Sequence, residues 1–296
     1  MTYDSIIIGM GIAGISAAIY AKRSGNNVLM LEKMRPGGII NTIDKIENYP
    51  GFKSITGPDL AFQLFEQVNE LKIPYKMEEV IEVTLENNIK VVKTKDHEYR
   101  ALNILIATGR SPILLGLPKE EELIGKGIST CALCDGYLYK EKEIAVVGGG
   151  NSALQEALYL SNIVKKIYLI HRRDEFRADS SLVEQIKTKE NIEICYTSQV
   201  TSLEEENGEL KAVVLNETEK IPVSAMFVYI GYAPKTDFVK DLGITNEAGY
   251  IEVNENYETK VPGIYGAGDI IVKKVYQIVT AASEGATAAI RFSRKK

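Results

Sequence analysis

The feature that most restricts how this chain can fold is a pattern that occurs twice. Asp4 to Lys33 matches Glu143 to Arg172 at a constant offset of 139 positions. In the first copy a β-branched run, Ser5 to Ile8, leads into Gly9, Gly11 and Gly14. A helical stretch follows to about Ser24, then an apolar run from Asn27 to Leu31 that ends at Glu32. In the second copy Ile144 to Val147 leads into Gly148, Gly150 and Ala153. A helical stretch to about Ile163 and the run Lys165 to Ile170 follow, ending at His171. Strand, glycine turn, helix and strand in this order make a β-α-β unit with a GxGxxG or GxGxxA turn. Gly at the first two turn positions lets main-chain N–H groups approach a pyrophosphate at the positive end of the helix. A small third residue lets the helix close on its strand. A single match of this kind can be an ordinary glycine-rich turn. Two at equal spacing, each between a strand and a helix, predict two dinucleotide-binding domains.

The ends of the second strands separate the two ligands. Glu32 lies 18 residues after Gly14, where a carboxylate accepts from ribose hydroxyls and repels a 2′-phosphate. The first unit is therefore expected to bind FAD or NAD. His171 lies 18 residues after Ala153 and opens the run His171, Arg172, Arg173, Asp174, Glu175, Phe176, Arg177. Three guanidiniums at this corner suit a phosphate dianion, because Arg presents planar paired donors, and the second unit is expected to bind NADPH. The plainer reading of the arginines is a solvated basic surface.

Composition narrows the partners. With 35 Lys and Arg against 40 Asp and Glu, the net charge is −5, so neither nucleic acid nor a membrane surface is an expected partner. The apolar stretch from Ile6 to Ala21 is broken by three glycines and is shorter than the ~20 residues that span a bilayer. The opening residues, Met1 to Asp4, carry no basic segment of the signal-peptide kind. Three cysteines cannot form a disulfide framework, and the expected compartment is the cytoplasm.

Two of those cysteines, Cys131 and Cys134, form a CxxC followed by Asp135 and Gly136. Zinc would need further ligands, but Cys195 is distant and His97 and His171 have no ligand spacing. A redox dithiol fits better: one thiol attacks and the other resolves the mixed disulfide, with Asp135 placed to exchange a proton with a departing thiolate. Cys195, in the strand-like Ile192 to Tyr196, reads as an inert core residue. Between the repeats, Val80 to Glu86, Ile89 to Lys95 and Glu98 to Ile106 alternate like antiparallel strands and end at Ala107, Thr108 and Gly109. Near the far end a buried strand is predicted over Pro262 to Asp269, closing in Gly268 and Asp269, with a small-residue helix from Ile278 to about Arg291.

Taken together, these segments resemble the low-molecular-weight thioredoxin reductase family over nearly the whole chain. The matching motifs are Gly9 to Gly14, Pro36-Gly37-Gly38, Glu47 to Gly51, Ala107-Thr108-Gly109, Cys131 to Gly136, Gly148 to Ala153, His171 to Arg177, and Gly266 to Asp269 with Gln277. The resemblance implies an α/β fold of two Rossmann-like domains, each a parallel sheet with an added antiparallel β-meander. An FAD domain made of residues 1–112 and 233–296 would carry an NADPH domain, 113–232, as an insert. Carried onto this chain, the FAD site comprises Gly9, Gly11, Gly14, Glu32, Gly37, Gly38, Asn48, Ala107, Thr108, Gly109, Gly268, Asp269, Gln277 and Ile278. The NADPH site comprises Gly148, Gly150, Asn151, Ala153, His171, Arg172, Arg173 and Arg177. The resemblance further implies a homodimer in which electrons pass from NADPH through FAD to the Cys131/Cys134 disulfide and on to thioredoxin. In that scheme Cys134 faces the flavin, Cys131 attacks the partner and Asp135 is the acid–base residue. The alternatives are reduction of a glutaredoxin-like or peroxiredoxin-linked carrier, and a ferredoxin-linked flavoprotein disulfide reductase. Three positions depart from the family pattern: Ile39 stands where Gln is usual, Tyr276 where Arg is usual, and Leu133 where Thr or Val is usual inside the CxxC.

Overall fold

The computed structural model describes residues 2–294. Met1, Lys295 and Lys296, the outermost residues of the two expected terminal segments, lie outside them. The chain divides into two compact units, Met1–Ser111 with Ala233–Lys296, and Pro112–Tyr232.

The first unit is built on a seven-stranded sheet. Its central strand, Thr2–Ile8, pairs in parallel with Val28–Glu32 on one side and with Glu98–Ile106 on the other. Tyr75–Met77 extends the first edge, and Ile264–Gly266 pairs in parallel with Glu98–Ile106. The meander is part of the same sheet, because Glu98–Ile106 continues antiparallel into Ile89–Thr94 and then Val80–Glu86. Ser5–Ile8, the second half of the central strand, is buried on both faces, which accounts for its three consecutive isoleucines. Ile7 joins a core with the helix Ile12–Arg23, while Ile6 and Ile8 join another on the opposite face. That helix is apolar almost all round and is correspondingly buried.

The second unit repeats the plan as a five-stranded, wholly parallel sheet. Its order is Ile192–Cys195, Lys166–Ile170, Glu143–Gly148, Ala225–Tyr229, Ile128–Ser129. Here the meander, Val200–Glu206, Glu209–Leu215 and Glu219–Pro222, is a separate three-stranded sheet. The helix after the glycine turn runs Asn151–Ser161. The fold is thus mixed α/β with a parallel sheet and an antiparallel meander in each unit, as expected. The strand expected over 262–269 is shorter, Ile264–Gly266, because Gly268 turns to φ +81° and starts a short 3₁₀ segment.

The last helix, Ile278–Ser293, packs on Ile12–Arg23 at a point that tolerates no side chain. A Cβ on Gly285 would lie 1.9 Å from the carbonyl oxygen of Ala13, one residue before Gly14. Since that obstacle is backbone, Gly285→Ala must push the two helices apart. It is expected to cost about 1–3 kcal/mol, seen as a Tm lower by several degrees in thermal unfolding.

Candidate functional site

In both units the glycine turn is shaped by what each absent side chain would strike. A Cβ on Gly9 would lie 2.4 Å from the Ala107 oxygen, and one on Gly148 would lie 2.5 Å from the Tyr229 oxygen. The first Gly of each turn therefore lets the chain cross tightly against the neighbouring strand. The second Gly is different: a Cβ on Gly11 or Gly150 meets nothing within 4 Å. These positions open onto free space, and a side chain would fill the volume a pyrophosphate needs. At the third position a Cβ on Gly14 would sit 2.0 Å from the Gly9 oxygen, whereas the second unit accommodates the Ala153 methyl.

Around the first turn the expected residues converge. Gly37 donates its N–H to the Met10 carbonyl at 2.7 Å, and a Cβ on Gly38 would stand 3.6 Å from the Gly11 Cα. A cleft of about 320 Å³ runs past Gly9, Glu32, Thr108 and Gly109 to Glu78 and Val80. Glu32 is held in place by two main-chain donors, the N–H of Met10 at 2.7 Å and that of Met34 at 3.0 Å. Asn48 donates to Gln277 Oε1 at 3.1 Å across 229 residues of sequence, and Gln277 caps the helix that begins at Ile278. These groups fit a dinucleotide: a glycine cradle open at its second position, a carboxylate at the strand end, and an adjoining cleft.

The first unit also contains a charge network that sequence reading did not find. Asp269 pairs with Arg110 at 3.1 Å and with Lys273 at 3.3 Å. Lys273 in turn reaches Glu284 at 3.1 Å, and Glu284 accepts the Gly268 N–H at 2.8 Å. Burial pushes the Glu284 carboxyl up, against the opposing effect of Lys273. Arg110 lies over the ring of Tyr276, 4.0 Å from its centroid, so a cation still stands at the position where the family's usual Arg is replaced. A Glu among the small residues of the last helix was the available signal for Glu284. Nothing in the sequence pairs Arg110 with Tyr276.

Glu78, on the cleft wall, accepts from Thr94 at 2.7 Å, from Tyr99 at 3.0 Å and pairs with His97 at 3.0 Å. Burial raises its carboxyl, but these contacts more than offset it and hold the group below 4.5. Ionised Glu78 therefore stabilises the fold above that pH, and the contribution disappears as pH falls through the lowered value. Glu78→Gln is expected to lose about 1 kcal/mol at neutral pH and to flatten the acid side of a urea-unfolding series.

Around the second turn His171 points inward. It is 5% exposed, and a Cβ on Gly149 would lie 2.2 Å from its ring. Its Nε2 is 3.0 Å from the Glu175 carbonyl, and Arg177 donates its N–H to the Gly149 oxygen at 2.8 Å. Burial lowers the His171 pKa; the Glu175 carbonyl opposes this and Arg177, Arg173 and Arg172 add to it. His171 thus ties the arginine loop to the glycine turn. Arg172, Arg173 and Arg177 are exposed and form no ion pair among the described residues. Asn151 is joined to Asp179 by two hydrogen bonds, 2.8 and 2.9 Å.

Cys131 and Cys134 are joined by a disulfide, with Cα atoms 5.3 Å apart. Cys134 donates its N–H to Cys131 Sγ at 3.1 Å, and Asp135 donates its N–H to the Cys131 carbonyl at 3.1 Å. Two hydroxyls that sequence reading missed hold this loop. Ser129 Oγ contacts the Asp135 carboxylate at 2.7 Å, and Tyr229 accepts the Ala132 N–H at 2.8 Å. Burial drives the Tyr229 phenol far above its ordinary pKa, so it remains protonated. Cys195 is half-buried, with its thiol pushed up to about 11 by burial, and is inert. Among the described residues no group of His, Cys, Asp and Glu has the arrangement of a metal site, and no helix is long and apolar enough to cross a membrane.

Two dinucleotide turns with a CxxC disulfide define a class, the pyridine nucleotide-disulphide oxidoreductases, and the model of that family matches residues 3–286. The chain is 42% identical over 292 residues to the thioredoxin reductase of Bacillus subtilis (strain 168), covering 97% of this chain and 92% of the relative. Among solved structures, a Lactococcus lactis thioredoxin reductase superposes with a TM-score of 0.89 at 36% identity, over 100% of both chains. That of T. acidophilum gives 0.86 at 34%, over 99% and 98% of the two chains. Within its class, the chain belongs to the low-molecular-weight thioredoxin reductase family.

Proposed function

We propose that this chain is a thioredoxin-disulfide reductase working from NADPH through FAD, and that the Cys131–Cys134 disulfide beside Asp135 is the observation that carries the reading. The unit of Met1–Ser111 and Ala233–Lys296 is the FAD domain and Pro112–Tyr232 the NADPH domain. The chemistry that bound FAD and NADPH supply is delivery of two electrons to the Cys131–Cys134 bond. For its part the chain presents main-chain N–H groups at Gly9 to Gly14 and Gly148 to Ala153, the Glu32 carboxylate for ribose hydroxyls, and three arginines for a 2′-phosphate.

The reduced pair then exchanges with a partner disulfide. Cys131, as thiolate, attacks one partner sulfur and the partner S–S bond breaks. Cys134 gives up its proton and attacks Cys131 Sγ, which re-forms the internal disulfide and releases the second partner sulfur. Two electrons leave with the partner as two thiols; one of their protons comes from Cys134 by way of Asp135, and the other is taken from solvent, because Cys131 enters the exchange already ionised. Tyr137 and Leu138, 71% and 74% exposed just beyond Asp135, offer apolar surface to a protein partner. The enzyme acts in the cytoplasm as a homodimer.

Purified protein is expected to be yellow and to oxidise NADPH only when an oxidised carrier is present. Rates should be measured with thioredoxin, a glutaredoxin-like protein, a peroxiredoxin-linked carrier and reduced ferredoxin as alternative donor. Colourless protein that takes up no FAD on reconstitution overturns the reading. Preference for another carrier or for ferredoxin moves it to the corresponding alternative.

A further inference from the structure

Ser129 has no part in the steps above, yet it is 4% exposed and its hydroxyl touches the redox loop three times. It accepts the Cys131 N–H at 3.0 Å, and lies 2.7 Å from Asp135 Oδ2 and 3.3 Å from the Cys131 carbonyl. A hydroxyl has one proton to give. The shorter, charge-assisted contact takes it, so Oγ accepts from the Cys131 amide and donates to the Asp135 carboxylate. Among the described residues Asp135 Oδ1 has no hydrogen-bond partner. The arrangement engages one carboxylate oxygen and leaves the other open.

Sheet register places this hydroxyl. Ser129 ends the strand Ile128–Ser129 and pairs opposite Phe227, two residues before Tyr229 on the neighbouring strand. Tyr229 anchors the same loop at Ala132. Both hydroxyls therefore fix the backbone between the cysteines and Asp135, but Ser129 alone of the two bonds to the carboxylate.

We propose that Ser129 is a positioning residue for proton transfer in disulfide exchange: its hydroxyl pins Asp135 Oδ2 against the Cys131 end of the loop and so presents Oδ1 to the sulfur that gains or loses a proton. The proposal rests on the disulfide-exchange reading above. In its step the proton given up by the Cys134 thiol passes to Asp135 and then to the departing partner thiolate. The S–S bond to Cys131 forms as the mixed disulfide breaks, and Asp135 ends ionised as it began.

The leaving group decides whether that proton matters. An alkyl thiolate is a poor leaving group without protonation; an aromatic thiolate departs readily as the anion. FAD-loaded protein, reduced with dithiothreitol and desalted, should be mixed in single-turnover reactions with hydroxyethyl disulfide and, separately, with dithionitrobenzoate. Ser129→Ala is expected to slow the alkyl disulfide about tenfold or more while leaving the aromatic rate nearly unchanged, and Ser129→Thr is expected to restore the wild-type ratio. Tyr229→Phe, which removes a backbone anchor without touching Asp135, should leave the ratio of the two rates as it is. Equal slowing of both disulfides by Ser129→Ala, no slowing of either, or failure of Thr to restore the ratio overturns the proposal. Reduced wild-type protein that reacts with neither disulfide overturns the exchange reading, and the role of Ser129 with it. Both reagents bypass the protein partner, so a wrong carrier assignment and a wrong role for Ser129 give different results.

Discussion

Replacing Cys131 or Cys134 with Ser is expected to reduce carrier-dependent NADPH oxidation by a factor on the order of 10³ or more, with the double variant no worse than either single one. The two sulfurs form one bond, 5.3 Å between Cα atoms, and removing either end removes the whole two-electron relay. Groups that act as a unit lose their contribution together, so the single losses should not multiply. The two variants should still differ in what they trap. With Cys134 replaced, Cys131 keeps an attacking sulfur but has no resolving one, and a mixed disulfide with thioredoxin should accumulate on non-reducing gels. With Cys131 replaced, that adduct should be absent. Flavin content should match wild type in both, because neither sulfur belongs to the glycine cradle of the first unit. A single Ser variant that keeps near-wild-type turnover would place the chemistry elsewhere and favour a reaction that passes electrons without a dithiol.

How far the site was legible in advance followed the distance over which each interaction acts. The glycine turns were legible because strand, turn and helix are contiguous, and the clash at Gly9 and the open space at Gly11 are consequences of one short segment. The CxxC was legible for the same reason, since its spacing is its chemistry. The first unit's meander strands showed themselves by alternation and the second unit's were implied only by the family resemblance, while the merger with the parallel sheet in one unit and separation from it in the other showed in neither. That difference depends on Glu98–Ile106 pairing with both Thr2–Ile8 and Ile89–Thr94, and no local pattern encodes both partners. The polar groups that hold the sites were the least legible. Tyr229 meets Ala132 across 97 positions and Arg110 meets Asp269 across 159. A lone Tyr in an apolar strand reads as core until a partner amide is placed beside it. The family resemblance places His171 in the NADPH site, and the fold packs its ring between Gly149 and the arginine loop, a contact that no local pattern announces.

With the His171 ring turned inward, the proposed preference of the second unit for NADPH would rest with the arginines, which sets the expected result of removing them. Replacing Arg172 and Arg173 together with Gln should raise the KM for NADPH at least tenfold while changing that for NADH by less than about twofold. A charge-assisted contact contributes about 1.5–3 kcal/mol, or ~10- to 100-fold in affinity. Two contacts to one phosphate share that ligand, so their losses are not expected to multiply in full. The effect should be confined to the 2′-phosphate, because on the proposed reading the rest of the dinucleotide would be met by the main chain of Gly148 to Ala153, which the substitutions do not touch. Exposure of both side chains limits collateral damage to the fold, and thermal unfolding should stay close to wild type. Ionic strength supplies an independent check: attraction between exposed arginines and a dianion is screened by salt. Wild-type KM for NADPH should therefore climb steeply with salt, and the variant's only weakly. Equal losses for NADPH and NADH would mean that the arginines hold the shape of the loop, not the phosphate. In that case the task of choosing between the two nicotinamide cofactors would fall to Arg177, whose N–H already fastens the loop to Gly149.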